Sequence, residues 1–412
     1  MTDTALPSTP APQKRSFREV WLITVGHALT HWYPATFYLL LPLIGNELGL
    51  SYVQIGSVLS TQALCGALSN IPGGLFVDSF GRKGLLMAAA LFWIGAPYLL
   101  MGFTHEYWLL LTCAALVGIG NNIWHPTAIP LLAERFPERK GLAVSIHGMG
   151  GNVGDAVAPL VAGVLLATLN WRQVVMINVV PGIVMAVILL YALGRMQVEP
   201  RQLRPRRSLS EVMRDFRKLL ANRTLITLCA SSVFRSMTNG GLMTFLPLYL
   251  ARELGYSTIW IGACMAALQA AGFIAAPISG HLSDTMGRRQ IVMSSMGVTA
   301  LIILFMAIAG RSAAFVFFIA FLGFFFFSIR AVLQAWLLDA TPPGMGGSAI
   351  GVLFAIQALG QSIGPFVCGL IADRYGLMAT FYFLVATIVV ANIFVFFTPP
   401  LPRHRLSGQP AE

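Results

Sequence analysis

Apolar residues in this chain fall into long runs separated by short polar connectors. A helix needs about 20 mostly apolar residues to cross a hydrocarbon core of roughly 30 Å, and twelve runs reach that length. In the first half they cover 20 to 44, 53 to 77, 84 to 103, 107 to 134, 141 to 169 and 172 to 194. In the second half they cover 223 to 250, 258 to 281, 290 to 309, 312 to 340, 345 to 371 and 377 to 397. The polar stretch from 195 to 222 separates the sixth run from the seventh. The pattern predicts an all-α polytopic membrane protein of twelve transmembrane helices, with a six-helix N-terminal half (20–194) and a six-helix C-terminal half (223–397). The ends, 1–19 and 398–412, read as tails, the first Pro-rich and polar. Within the linker, Leu209, Val212, Met213, Phe216, Leu219 and Leu220 recur at helical spacing among Arg214, Arg217 and Lys218, as in an amphipathic helix lying on a membrane surface.

The two halves echo each other. Gly74-Leu75-Phe76-Val77-Asp78-Ser79-Phe80-Gly81-Arg82-Lys83 returns as Gly280-His281-Leu282-Ser283-Asp284-Thr285-Met286-Gly287-Arg288-Arg289, 206 residues on. Glycines permit a tight turn, the acid sits at a helix end, and the two bases favour the cytoplasmic side. Glu47-Leu48-Gly49 and Ile55-Gly56 match Glu253-Leu254-Gly255 and Ile261-Gly262. The run from Gly154 to Gly163 shares its frame with the run from Gly360 to Gly369, Pro159 matching Pro365. This repeated loop resembles the signature of the major facilitator superfamily of transporters, found there between helices 2 and 3 and again between helices 8 and 9. The resemblance covers all twelve runs. It implies parallel repeats with a substrate site between the halves near the midplane, and a loop in which Asp78, Gly81, Arg82, Asp284, Gly287 and Arg288 act as a conformational latch.

Composition excludes a soluble globule: 56% of the 412 residues are hydrophobic, 10% are charged, and the mean hydropathy is +0.73. The net charge of +11 does not point to nucleic acid, because the bases lie between apolar runs. With the N-terminus inside, 21 Lys and Arg fall in cytoplasmic segments and four in outside loops, namely Arg172, Arg252, Arg311 and Arg374. The positive-inside rule therefore predicts both termini in the cytoplasm. No cleavage site follows the first run, which reads as an uncleaved helix in a multi-pass inner (plasma) membrane protein. The five cysteines lie in apolar runs without CxxC spacing, so neither a disulfide nor a cysteine metal cluster is expected.

The two remaining arginines, Arg235 and Arg330, fall inside runs. An ionisable group within a membrane span costs about 2.5 to 3.5 kcal/mol on insertion scales, which makes each a functional candidate. His27 and His31 share a face of run 1, Asn121, Asn122 and His125 sit in run 4, Asn152 and Asp155 in run 5, Arg235 and Asn239 in run 7, and Arg330 and Gln334 in run 10. Structural readings stand beside these: His27 and His125 as packing histidines, and the arginines paired with Asp155 or Asp339 to hold helices together. Two permanently charged arginines against one mid-span acid favour an anionic substrate. Of the groups able to change charge, His31 and Asp155 are the expected proton-coupling pair.

Trp124-His125-Pro126-Thr127, Gly141-Leu142-Ala143-Val144-Ser145 and Gly150-Gly151-Asn152-Val153-Gly154 resemble the fosmidomycin-resistance type of bacterial exporter. Ala158-Pro159-Leu160-Val161-Ala162-Gly163 resembles the helix-5 signature of proton antiporters, with two of its glycines replaced by alanine. These likenesses imply a proton-coupled exporter of a small anionic or amphiphilic compound, working by alternating access as a monomer in the lipid bilayer. The alternative is a proton symporter taking up an organic anion. A receptor or structural role finds no supporting domain. No nucleophile with a base, phosphate-binding loop or metal-ligand set is evident, so neither an enzyme nor a cofactor is expected.

Overall fold

In the computed structural model, residues 17–79, 82–194, 221–342 and 345–399 are described. Among them are twelve α-helices: α1 (Arg18–Glu47), α2 (Tyr52–Ser79), α3 (Lys83–Met101), α4 (Tyr107–Arg135), α5 (Lys140–Leu165), α6 (Trp171–Leu193), α7 (Arg223–Arg252), α8 (Thr258–Met286), α9 (Arg288–Ala309), α10 (Ala314–Ala340), α11 (Gly346–Tyr375) and α12 (Leu377–Phe396). Each expected run coincides with one helix. A helix satisfies its own backbone donors and acceptors, which an apolar surrounding requires of any lipid-exposed segment. The amphipathic helix expected in the linker, and most of both tails, lie outside the described residues.

Eight helices are long and apolar enough to cross a membrane by length and composition. The other four are α1, α2, α5 and α7. Three of these carry His27, His31, Asp155 and Arg235, and the polar residues that lower their hydropathy are those an interior site would need.

Within the first half α1 packs on α5, and α3 packs on α4 and α6; in the second, α7 packs on α11 and α12, and α8 on α10. The halves meet chiefly through α2 against α11 and α5 against α8. Repeated residues make these contacts. A Cβ built on Gly56 would stand 2.2 Å from the Pro365 carbonyl oxygen, and one on Gly262 would stand 2.3 Å from that of Pro159. Towards the helix ends, Gly369 meets the Tyr52 carbonyl and Gly163 meets the Thr258 carbonyl, each 2.6 Å from a built Cβ. The partners are related by one offset, since 262 − 56, 365 − 159, 369 − 163 and 258 − 52 all equal 206. Any side chain there would force the paired backbones apart, so glycine sets the helix separation.

All four contacts lie towards the end of the bundle that carries the connections after α1, α5, α7 and α11, here termed the closed end. Polar contacts reinforce it. Asp373 of α11 accepts hydrogen bonds from Tyr52 N (2.8 Å) and Val53 N (2.9 Å) at the start of α2, in the other half. Ser51 Oγ accepts from Gln54 N (3.2 Å) and Gln54 Oε1 from Ser51 N (2.9 Å), so three early amides of α2 are satisfied. Arg252 of α7 stacks over Tyr52, 5.0 Å from its ring centroid, and Thr258 Oγ1 donates to Gly163 O at 3.1 Å.

Candidate functional site

The packing of α1 on α5 builds the densest polar cluster among the described residues. On α5, His147, Gly151 and Asp155 are spaced by four and share one face, which lies against His27 and His31 of α1. Close approach depends on glycine: a Cβ on Gly154 would stand 2.1 Å from the Ala28 carbonyl oxygen, and one on Gly151 would stand 2.9 Å from His27 Cε1 and 3.0 Å from His31 Nε2. His27 Nδ1 lies 2.7 Å from the His147 carbonyl oxygen, and its Nε2 lies 3.0 Å from His125 Nε2 of α4. The His147 ring stacks on that of His27 at 4.0 Å between centroids.

No acid shares the helix face of His31, but α5 supplies one: His31 Nδ1 is 3.0 Å from Asp155 Oδ2. The two residues expected to couple protons thus form one hydrogen-bonded pair, and Asp155 is engaged by His31 rather than by Arg235. The other acid considered for the arginines is also engaged, because Asp339 Oδ2 accepts from Arg288 Nε at 3.1 Å. Arg288 also contacts Asp284 (2.5 Å) and Ser283 Oγ (2.6 Å), where Gly287 turns the chain at φ 97°. That copy of the repeated loop is therefore satisfied within the C-terminal half, across α8, α9 and α10. In the other copy Arg82 is exposed, while Gly81 and the side chain of Asp78 lie outside the described residues.

Among the described residues, neither Arg235 nor Arg330 makes an ion pair with an acid. Arg235 is 4% exposed, its Nε has no hydrogen-bond partner, and its guanidinium lies 5.0 Å from the Phe326 ring centroid. A guanidinium that desolvated and unpaired is costly unless an anion joins it. Arg330 is exposed on α10.

Next to this region is a cavity of about 270 Å³ lined by Tyr38 of α1, Gln62 of α2, Asn121 of α4, Thr244 of α7 and Gln361 of α11. Asn239 Nδ2 donates to Gln361 Oε1 at 2.9 Å. Gln361 is the offset partner of Asp155 (361 − 155 = 206), so one half pairs α5 with α1 through charge and the other pairs α11 with α7 through neutral amides. Gln334 is half-buried on α10, Asn152 is exposed one position off the histidine-contacting face of α5, and the Asn122 side chain lies outside the described residues.

Sequence reasoning missed His147, Tyr38, Gln62 and Gln361. His147 is signalled by its spacing of four and eight from Gly151 and Asp155, and Gln361 by its offset from Asp155. It also found no metal-ligand set, because the three histidines that converge come from helices about 100 residues apart in the chain.

Two pseudo-symmetric six-helix halves with a cavity between them lined by neutral polar residues are the architecture of a membrane transporter. The chain belongs to the Major Facilitator Superfamily, which matches over residues 20–310 and again over 228–412. It is 25% identical over 399 residues to the fosmidomycin resistance protein of Escherichia coli K12, covering 95% of each chain. It is 24% identical over 405 residues to the multidrug resistance protein MdtG of Proteus mirabilis, covering 96% of this chain and 99% of that one. Among solved structures, a bacterial homologue of the human lysosomal transporter Spinster, in an inward-facing and unoccupied conformation, superposes with a TM-score of 0.81 at 19% identity, covering 94% of this chain and 98% of that one.

Proposed function

We propose that this transporter exports a small organic anion, carboxylate- or phosphonate-like with an amphiphilic body, in exchange for protons across the inner membrane. One observation carries the anion reading: the Arg235 guanidinium is buried without an ion pair, while both acids expected within its reach, Asp155 and Asp339, are engaged by His31 and Arg288. A planar guanidinium binds carboxylate or phosphonate oxygens through paired N–H donors, which makes arginine a selective anion receptor. The neutral amides around Gln361 and the apolar walls suit the uncharged remainder of the cargo. With the charge bias placing the connection after α1 outside, the closed end faces outwards and the cavity is reached from the cytoplasm, where an exporter loads. Resistance-type relatives agree with export. As in other members of the superfamily, the working unit is a monomer.

Everted vesicles carrying the protein, with an acidic lumen, test this reading. Organic anions from a panel of carboxylates and phosphonates are expected to accumulate in the lumen, and a protonophore is expected to abolish the accumulation. Accumulation only in right-side-out vesicles would replace export with anion uptake by symport.

A further inference from the structure

We propose that His27, His31 and His125, where α1 meets α4 and α5, form a binding site for a divalent transition-metal ion. A backbone carbonyl offers only lone pairs, so the 2.7 Å contact from His27 Nδ1 to the His147 oxygen fixes the proton on Nδ1 and leaves the Nε2 lone pair of the neutral ring to accept from His125 Nε2, whose proton an incoming ion would displace to His125 Nδ1. The 3.0 Å contact from His31 Nδ1 to Asp155 Oδ2 likewise holds the proton on Nδ1 and leaves the Nε2 lone pair of His31 free. A carbonyl and a carboxylate behind two imidazoles are the supports that orient histidine ligands and raise their basicity in metal sites.

The third ring completes the set. His125 Nε2 stands 3.0 Å from His27 Nε2, and one ligand atom from each of the three histidines lies within 4.8 Å of the others. Nitrogens bound at about 2.0 to 2.1 Å around a tetrahedral ion stand roughly 3.3 Å apart, so the first pair needs almost no movement and His31 a small inward swing. Gly151 leaves room for that swing, since it is the residue against which His31 Nε2 and His27 Cε1 rest. The stacked ring of His147, 2% exposed and with neither nitrogen hydrogen-bonded, holds the plane of His27 from behind.

Accessibility fits the same use. His27 is buried, His31 is half-buried and His125 is exposed, so an ion can reach the site from the His125 side. Three imidazoles suit zinc, cobalt, nickel or copper and are poor ligands for magnesium or calcium. Three protein ligands leave a fourth position open to water or to another donor atom. The site stands whether or not Arg235 takes an anion, because no arginine contributes to it.

The test uses the purified full-length protein in detergent, titrated with cobalt(II) chloride and followed by visible absorption. Wild type is expected to bind one ion per chain with the intense bands of a tetrahedral site, and zinc chloride is expected to displace it. His27→Gln and His125→Gln should each weaken cobalt binding at least tenfold. Asp155→Asn, which touches no ion, should weaken it about 10- to 100-fold through His31. His281→Gln, on an exposed stretch of α8, should bind as wild type does. Size-exclusion profiles establish that each variant is folded, and His31→Gln replaces any that is not. A spectrum that stays that of the hydrated ion, or His27→Gln and His125→Gln binding as tightly as wild type, would overturn the proposal.

Discussion

The Cα of Gly56 lies so close to the carbonyl of Pro365 that a Cβ would stand 2.2 Å from its oxygen, and Gly262 meets Pro159 in the same way at 2.3 Å. These contacts join the halves at the closed end, and neither backbone carbonyl can move aside. Gly56→Leu and Gly262→Leu should each prevent the halves from closing there and favour the state open at that end. Transport is expected to fall at least tenfold, with cargo affinity in detergent within a few fold of wild type. Wild-type transport by both variants would show that this contact is not part of the cycle.

Asp373 reaches across the interface to the first amides of α2, so it reports closure through backbone hydrogen bonds. A carboxylate at a helix N-terminus contributes about 0.5 to 2 kcal/mol. Asp373→Ala should speed hydrogen exchange in the first turn of α2 several-fold while leaving α9 unchanged. Unaltered exchange at Tyr52 and Val53 would remove Asp373 from the gate.

Glu47, just beyond the first apolar run, is bonded by Arg172 Nη2 at 2.7 Å and by Trp171 Nε1 at 2.5 Å. The Arg172 guanidinium, with help from Trp171, holds its carboxyl below the usual range. A lowered folded value means the stabilisation is present above the ordinary glutamate range and is lost as pH falls through the lowered value. Glu47→Gln should therefore lower the thermal midpoint by a degree or two at pH 7 and by less at pH 3. An equal effect at both pH values would contradict the charge-based account.

Asp284, Arg288 and Asp339 form a closed network inside one half, so they are free of the other half in this conformation. We expect the network to exchange partners when the opposite end closes. Asp284→Asn should reduce turnover about tenfold with little change in binding, measured by cargo counterflow and by equilibrium binding. Weakened binding with normal saturated turnover would refute the latch.

The sequence shows why the fold was legible and the site only partly so. Twelve runs, two glycine-basic turns and matched Gly-Pro frames are properties of neighbouring residues, and each run became one helix. His27, His31, Asp155, Arg235 and Arg330 stood out because ionisable groups are rare in apolar runs. Their partners did not, because the contact from His31 to Asp155 spans 124 residues and that from His27 to His125 spans 98. Gln361 and Tyr38 carry no charge and stand out only by position. Local pattern revealed the candidates, and packing decided which of them met.

The account turns on an anion joining Arg235. Its most direct test is transport in proteoliposomes at neutral pH of an organic anion, its neutral amide and a cationic analogue of the same size. We predict that the anion is carried at least tenfold faster than the other two, and that Arg235→Gln removes most of that preference while expression is retained. Preferential transport of the cation, or an undiminished anion preference in Arg235→Gln, would contradict it.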